Sequence, residues 1–356
     1  MRVLIDIQHP ANLLLFKEFA RIFHSRDNQV LFTTRDKDVT IQLFDSLKFD
    51  YISFGKNYKS LPGKMIGLLR FDHDIIRAAR QFKPDLFLSH GSIYAAHASF
   101  VLRKPNISFN AVDSDVLLKL NKPFTSVYLT SRSFKKKLGK KHLMYSGFHE
   151  LAYLHPNYFK PDVAVLEKYG IKKNEKFVIV RFVSWKAYDD IGKNGFSNKE
   201  KILVTEKLCE LGRVFISSEC DLPPELTQYK LNIYPSDLQS LEYYSSLLLG
   251  ESGSMAAECA MLGTPALYVS NKNHGFISDL SQKYDLIHQF TDVKSALVKA
   301  IELLQDSETR EIYKKRRDCM LVEMIDVTAF MVWFIENFPQ SQSIIQNNPD
   351  YQFQFK

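Results

Sequence analysis

Residues 247–269 read LLLGESGSMAAECAMLGTPALYV and contain a complete strand, loop, helix and strand pattern. A short apolar run ends at Gly250, small residues follow, and helix formers continue from Met255 until Gly263 and Pro265 stop the helix. The N–H groups of a helix's first turn have no partner within the helix and carry partial positive charge, so a loop without bulky side chains lets a phosphate approach them. The pattern therefore predicts an anion-binding turn within an α/β fold.

Glu258 lies about one turn inside the predicted helix, where its carboxylate could accept hydrogen bonds from a sugar diol. The alternative is an ordinary capped helix, with Ser254 as the N-cap and Glu258 as a solvated residue. A capping box that starts at Ser254 would need its Glu at position 257, which is Ala257, so Glu258 does not serve that purpose. We therefore predict a nucleotide with its phosphates at Ser252, Gly253 and Ser254 and its ribose at Glu258.

The composition is that of a globular protein with two domains. The 356 residues are 45% hydrophobic and 24% charged, and a chain of this length usually forms more than one core. No uncharged run approaches the ~20 residues of a membrane span, and no apolar signal region precedes the first strand, so we expect a cytoplasmic protein. The four cysteines lack paired spacing, which predicts reduced thiols, and no metal site is expected.

The net charge of +7 predicts an anionic partner. Basic runs at residues 132–141 and 314–317 are interpreted as solvated helix faces, and no nucleic-acid-binding module accompanies them, so nucleic acid is not expected. As a functional interpretation, these runs favour peripheral contact with the acidic inner face of a membrane.

Short apolar strands alternate with amphipathic helices in two successive blocks, which is typical of parallel sheets covered on both faces. We predict a first Rossmann-like domain over residues 1–156 and a second over residues 157–318, with a proline-containing linker where they meet. The second block is expected to include a strand at residues 231–234. Residues 319–356 are expected to form a helix that packs back on the first domain, followed by a loosely ordered polar tail after Pro339.

Two such domains with a Ser-Gly-Ser…Glu loop late in the second resemble the GT-B superfamily of nucleotide-sugar glycosyltransferases and the non-hydrolysing UDP-N-acetylglucosamine 2-epimerases. The chain looks most like the uncharacterised GT-B-like family that opens with a strand, an Asp and a His-Pro turn, here Asp6 to Pro10. Four further motifs of that family are present as Thr34-Arg35-Asp36, Ser89-His90-Gly91-Ser92, residues 145–154 and Val180-Arg181. The resemblance implies a GT-B-like α/β fold, with two Rossmann-like domains and a cleft between them.

The resemblance also implies a nucleotide-sugar site in the second domain. In the relatives, the loop matching Ser252-Gly253-Ser254 holds the diphosphate, the Glu matching Glu258 binds the ribose, and helix N-terminal amides replace a divalent metal. No bound cofactor is implied, and a UDP-sugar is the expected co-substrate, with a glycan or lipid-linked acceptor at the first domain. Arg181 would pair with the diphosphate or form a structural ion pair.

The epimerases differ from this chain at two acidic positions. Their His-Gly-Asp motif appears here as His90-Gly91-Ser92, and a later Glu appears as Asn110. Ser and Asn do not titrate near neutral pH and cannot serve as the catalytic acid or base, so we rank glycosyl transfer above epimerisation. The hypothesis is a glycosyltransferase of surface polysaccharide or glycolipid synthesis, and the alternatives are an epimerase-like enzyme and a noncatalytic nucleotide-sugar or glycan-binding protein.

An inverting transferase needs a base from the first domain, beyond the carboxyl ends of its strands. His9, His90 and Asp113 are the catalytic candidates, with Asp6 as a loop-orienting alternative. His9 is favoured because it follows the first strand directly and an unperturbed histidine has a pKa near 6.5. The predicted substrate-binding residues are Asn12, Asn110, Trp185, Asn273 and His274. Turn formation or plain loop packing is the alternative for these residues and for the histidines.

Overall fold

The computed structural model describes residues 1–36, 39–56, 61–109, 115–184, 195–272 and 274–356. The chain forms two compact units, one of Met1–His155 with Met324–Lys356 and one of Pro156–Glu323. Each unit contains one sheet whose strand pairs are parallel, which confirms the α/β prediction.

The first unit has a seven-stranded sheet with the order β3-β2-β1-β4-β5-β6-β7. Its inner strand β1 is buried over its last five residues, because helices cover both faces of a parallel sheet. The strands are β1 (Arg2–Ile7), β2 (Gln29–Asp36), β3 (Tyr51–Lys56), β4 (Leu86–Ser89), β5 (Asn106–Phe109), β6 (Val127–Ser131) and β7 (His142–Tyr145). The helices are α1 (Pro10–Ser25), α2 (Thr40–Leu47), α3 (Leu61–Phe82), α4 (Ile93–Val101), α5 (Asp115–Asn121) and α6 (Leu151–Leu154).

The second unit has a five-stranded sheet with the order β12-β11-β10-β8-β9. Its strands are β8 (Phe177–Phe182), β9 (Arg213–Ser218), β10 (Leu247–Gly250), β11 (Ala266–Val269) and β12 (Ile287–Phe290). Its helices are α7 (Ala164–Lys168), α8 (Asn198–Cys209), α9 (Leu238–Tyr244), α10 (Gly253–Leu262), α11 (Gly275–Gln282), α12 (Val293–Gln305) and α13 (Thr309–Glu323). Apolar residues of β8 and β10 form a core with α8 and α12.

Two local predictions are wrong. Residues 231–234 form no strand: only Leu231 reaches the edge strand β9, through its N–H to the Ile216 carbonyl at 3.0 Å, and none of the four residues is buried. Without a core face, alternation of apolar residues does not hold a strand in place. The basic run at residues 132–141 contains turns and no helix, whereas residues 314–317 do lie on α13.

The chain ends in ordered structure, where a loose tail was predicted. Helix α14 (Val327–Glu336), helix α15 (Gln340–Asn347) and a 3₁₀ segment (Pro349–Phe355) follow the second unit. Asp326 caps α14 by accepting the Ala329 N–H at 2.8 Å, so this helix begins later than the predicted residue 319. Within the first unit, α14 packs against α1 and α6. None of the helices in the described parts of the chain is long and apolar enough to cross a membrane.

Candidate functional site

The turn between β10 and α10 has the predicted strand-to-helix geometry, but the helix begins earlier than expected. Ser252 is the N-cap, and its hydroxyl accepts the Met255 N–H at 3.3 Å, whereas Ser254 is an exposed residue of the first turn. The alternative interpretation of this turn had Ser254 as the N-cap, and the structure has the cap two residues earlier, at Ser252. Both serines could cap a helix, and Ser252 does so because its hydroxyl reaches the N–H at the third helical position.

The two glycines of this turn, Gly250 and Gly253, differ in whether the packing around them excludes a side chain. A Cβ at Gly250 would lie 2.3 Å from the Arg181 carbonyl oxygen, so the packing of β10 against β8 excludes any side chain. The atoms nearest to a Cβ at Gly253 would be side-chain carbons of Tyr268, His274 and Phe276, each at 3.7 Å, which is an ordinary contact distance. Gly253 is also the first helical residue, a position that other residues adopt readily. The fold therefore does not require glycine at position 253.

Glu258 is buried, at 5% exposure, which excludes its interpretation as a solvated helix residue. Gln239 of α9 donates its Nε2 to the Glu258 Oε1 at 3.0 Å. Sequence reasoning missed Gln239, although it lies on the helix directly before β10. The hydrogen bond fixes the orientation of the carboxylate that was predicted to bind ribose.

A second carboxyl group, that of Glu242, lies on the same helix α9 and is fully buried. Neither of its side-chain oxygens has a hydrogen-bond partner among the described residues. Burial, and secondarily the neighbouring Glu258, raise the pKa of Glu242 well above its usual value. Glu242 therefore keeps its proton to a higher pH than an exposed glutamate does.

Arg181 is the penultimate residue of β8, and its guanidinium is in a structural ion pair. Its Nη2 pairs with the Glu219 carboxylate, and its Nη1 donates to the Ser217 hydroxyl at 2.7 Å. Of the two roles considered for Arg181, the structure contains the ion pair. The sequence did not reveal it, because Glu219 follows a different strand, β9.

His274 lies beside the turn between β10 and α10. It precedes α11, and its ring stacks on Phe276 with centroids 5.4 Å apart and an interplanar angle of 18°. A Cβ placed on Gly253 would lie 3.7 Å from the nearest carbon of each ring. The predicted site residues Asn110, Asp113, Trp185 and Asn273 lie outside the described residues.

In the first unit, a buried network joins the carboxyl ends of three strands. Asp6 is fully buried and accepts hydrogen bonds from Thr33 Oγ1 at 2.9 Å, Ser92 Oγ at 2.5 Å and Arg35 Nη2 at 3.2 Å. The Arg35 guanidinium also lies 4.5 Å from the Tyr94 ring centroid. Asp6 and Arg35 therefore hold the ends of β1, β2 and β4 together.

His9 is an exposed N-cap of α1, and its Nδ1 accepts the Ala11 N–H at 3.2 Å. It therefore has the local turn role that was the alternative to a catalytic one, while its ring remains accessible to solvent. Asn12 follows in the first turn of α1 and is buried, at 7% exposure, with its backbone N–H bonded to the His9 carbonyl at 2.9 Å.

His90 contacts a histidine that sequence reasoning quoted only as part of a motif. The His90 and His149 rings meet edge to face, with centroids 5.0 Å apart. Burial, followed by the charges of neighbouring histidines, lowers the pKa of His90 to about 3. Burial is also the largest cause that lowers the pKa of His149 to about 4. Both rings are therefore uncharged at neutral pH. The signal for His149 was its position after β7, at the sheet edge that also carries His9 and His90.

Solved structures share this fold at low sequence identity. UDP-GlcNAc 2-epimerase from Neisseria meningitidis, bound to UDP-GlcNAc, is 12% identical with a TM-score of 0.63, over 88% of this chain and 94% of that one. S. aureus MnaA, solved with UDP, is 12% identical with a TM-score of 0.66, over 96% and 97% of the two chains. The Streptomyces sp. SF2575 glycosyltransferase SsfS6, complexed with thymidine diphosphate, is 12% identical with a TM-score of 0.62. The similarity covers 94% of this chain and 99% of that one.

These similarities confirm the predicted GT-B-like α/β fold. No curated protein is significantly similar in sequence to this chain. Residues 1–333 match a family described as a protein of unknown function, DUF354, which is the GT-B-like relationship expected from the motifs. This match covers most of the polypeptide, and the chain therefore belongs to the DUF354 family.

Proposed function

We propose that this protein is a GT-B-type glycosyltransferase that uses a nucleotide-diphosphate sugar, most simply a UDP-sugar. The observation that carries the proposal is Gly253, which opens α10 although neither backbone conformation nor packing requires glycine there. A bare backbone at a helix N-terminus suits the close approach of a phosphate. Glu258, buried and oriented by Gln239 one turn further on, supplies the carboxylate for the ribose hydroxyls.

The roles of the remaining residues follow from this assignment. The diphosphate would contact Ser252, Gly253 and Ser254 without a bound metal, and His274 would border the donor sugar. Arg181, already paired with Glu219, would act on the diphosphate through its long-range charge. The first domain, near residues 1–156, would take a glycan or lipid-linked acceptor for polysaccharide or glycolipid synthesis at the inner face of the membrane.

His9 is the proposed base that deprotonates the acceptor hydroxyl. A general base works best with a pKa near the working pH, and the pKa of about 3 makes His90 a poor base at neutral pH. His90 and Asn12 are then proposed to bind acceptor hydroxyls, together with the predicted residues Asn110 and Asp113.

The proposal is tested by calorimetric titration of the wild type with UDP, GDP, CDP and dTDP, followed by two variants. Glu258→Ala removes a hydrogen-bonding charge worth ~1.5–3 kcal/mol, which corresponds to roughly 10- to 150-fold weaker binding. Gly253→Ala adds one methyl group that the fold accommodates, so its thermal stability should match the wild type while its nucleotide affinity falls at least about tenfold. Absence of nucleotide binding by the wild type, or unchanged affinity in both variants, would refute the nucleotide site.

Incubation with UDP-N-acetylglucosamine in D₂O separates transfer from the two alternatives. Transfer predicts slow UDP release that accelerates when a glycan acceptor is added. Deuterium at the sugar's C2 would instead indicate an epimerase, and tight binding without either reaction would indicate a noncatalytic binding protein.

A further inference from the structure

Glu251 lies between the last residue of β10 and the N-cap of α10 and is buried, at 5% exposure. Its backbone N–H donates to the Arg181 carbonyl at 3.0 Å. Its Oε2 accepts the Val183 N–H at 3.0 Å, and its Oε1 accepts the Phe196 N–H at 2.7 Å. One side chain thus joins the anion-binding turn to two backbone positions on either side of residues 184–195.

A buried carboxylate at this position needs an explanation. Burying a charge is costly unless hydrogen bonds compensate it, and the two backbone N–H groups provide that compensation. A negative charge beside a phosphate site also opposes the binding of an anion. The negative charge of Glu251 therefore weakens the binding of a nucleoside diphosphate, unless the hydrogen bonds of its carboxylate hold the turn in the conformation that binding requires.

We propose that Glu251 is a positioning residue that braces the anion-binding turn for a nucleoside diphosphate. The inference rests on the proposed function, because the brace matters only if the turn binds a nucleotide. Glu251 is the direct neighbour of Ser252, so its three hydrogen bonds fix the direction in which the chain enters α10. A turn held in its binding conformation before the ligand arrives loses less conformational entropy on binding.

The Glu251→Gln variant distinguishes positioning from simple electrostatics. The variant amide has one acceptor oxygen, so it can keep one backbone N–H and must present its NH₂ group to the other. If Glu251 positions the turn, the backbone amide that loses its acceptor, that of Val183 or that of Phe196, should exchange its hydrogen at least about tenfold faster. UDP binding should be about tenfold weaker. A merely electrostatic role predicts tighter UDP binding, because the variant removes a negative charge near the phosphates. A merely structural role predicts no change in UDP affinity. Unchanged or tighter UDP binding by Glu251→Gln would overturn the brace.

Glu200→Gln, on helix α8, is the matched control. The Glu200 carboxylate accepts the Ser197 N–H at 2.8 Å in the capping box of α8, so this variant also removes a charge that holds a backbone amide. We expect faster exchange at Ser197 and unchanged UDP affinity.

A measurement on the wild type alone covers the case in which Glu251→Gln does not fold. Because coupling is reciprocal, saturating UDP should slow exchange at Val183 and Phe196 more than at Ser197. Equal effects at all three amides would contradict the brace. If the wild type binds none of UDP, GDP, CDP and dTDP, the proposed function fails as well, whereas nucleotide binding without these responses overturns the role of Glu251 alone.

Discussion

At the scale of single residues, Glu242 and Glu258 are two buried carboxyl groups that differ in their hydrogen bonding. Glu258 accepts a hydrogen bond from Gln239, whereas Glu242 is fully buried and its oxygens have no partner among the described residues. The raised pKa of Glu242 means that the folded protein holds this proton above pH 4.5, where the unfolded chain releases it. Stability is therefore highest below the unfolded pKa and falls as the pH rises toward the folded pKa.

We expect Glu242→Gln to remove this pH dependence. Between pH 5 and 7 the wild type should lose up to about 1.4 kcal/mol of stability per pH unit through Glu242, whereas glutamine does not titrate. Urea unfolding at constant ionic strength would then show a stability difference in favour of the variant that grows with pH.

Glu311→Gln is the control for this measurement, because Glu311 is exposed on α13. Its stability difference from the wild type should stay nearly constant over the same range. Parallel pH profiles of Glu242→Gln and the wild type would show that Glu242 is ionised in the folded protein.

At the scale of elements, Ser252 and Ser254 lie at the start of α10 and differ in role. The Ser252 hydroxyl caps the helix through the Met255 N–H, whereas Ser254 is exposed within the first turn. Ser252→Ala should therefore cost ~0.5–2 kcal/mol, and Ser254→Ala should be close to neutral. Urea unfolding of both variants measures the difference. Equal losses, or a larger loss for Ser254→Ala, would contradict the assignment of the cap to Ser252.

This pair of serines also illustrates how far sequence reasoning reached. The strands, the glycine that ends α10 and the turn before it depend on local residues, so periodicity and helix-stop signals predict them. Glu251 binding Phe196, and Gln239 binding Glu258, depend on which elements become neighbours in space. No local pattern contains that information, which is why the candidate site was predicted as a turn without its supporting side chains.

At the scale of the whole molecule, the chain returns to the first unit after completing the second. The final 3₁₀ segment was predicted as a loose tail because its residues are polar. Gln352 in that segment is nevertheless fully buried, and its Oε1 accepts the Ser146 N–H at 2.6 Å, across 206 positions of sequence. A buried glutamine whose hydrogen bonds are satisfied can thus help to anchor a segment, together with the aromatic side chains of Tyr351 and Phe355.

Removing the Gln352 side chain should destabilise the first unit. Gln352→Ala leaves the buried Ser146 N–H without an acceptor, which costs about 1–3 kcal/mol. Gln354→Ala, an exposed glutamine of the same segment, should change stability little. Trp333 reports on this region, because its ring centroid lies 5.0 Å from that of Tyr351 and 5.3 Å from that of Phe355.

The chain has two tryptophans, so a Trp185→Phe background leaves Trp333 as the single tryptophan whose fluorescence follows urea unfolding. We expect the Trp333 transition to occur at lower urea in Gln352→Ala than in Gln354→Ala. Coincident transitions would mean that the aromatic contacts of Trp333 hold the terminal segment without the glutamine anchor. Since those contacts are the same in both variants, a separation of the two curves measures the contribution of the buried Gln352 side chain, which includes its hydrogen bonds to the Ser146 N–H and the Pro349 carbonyl.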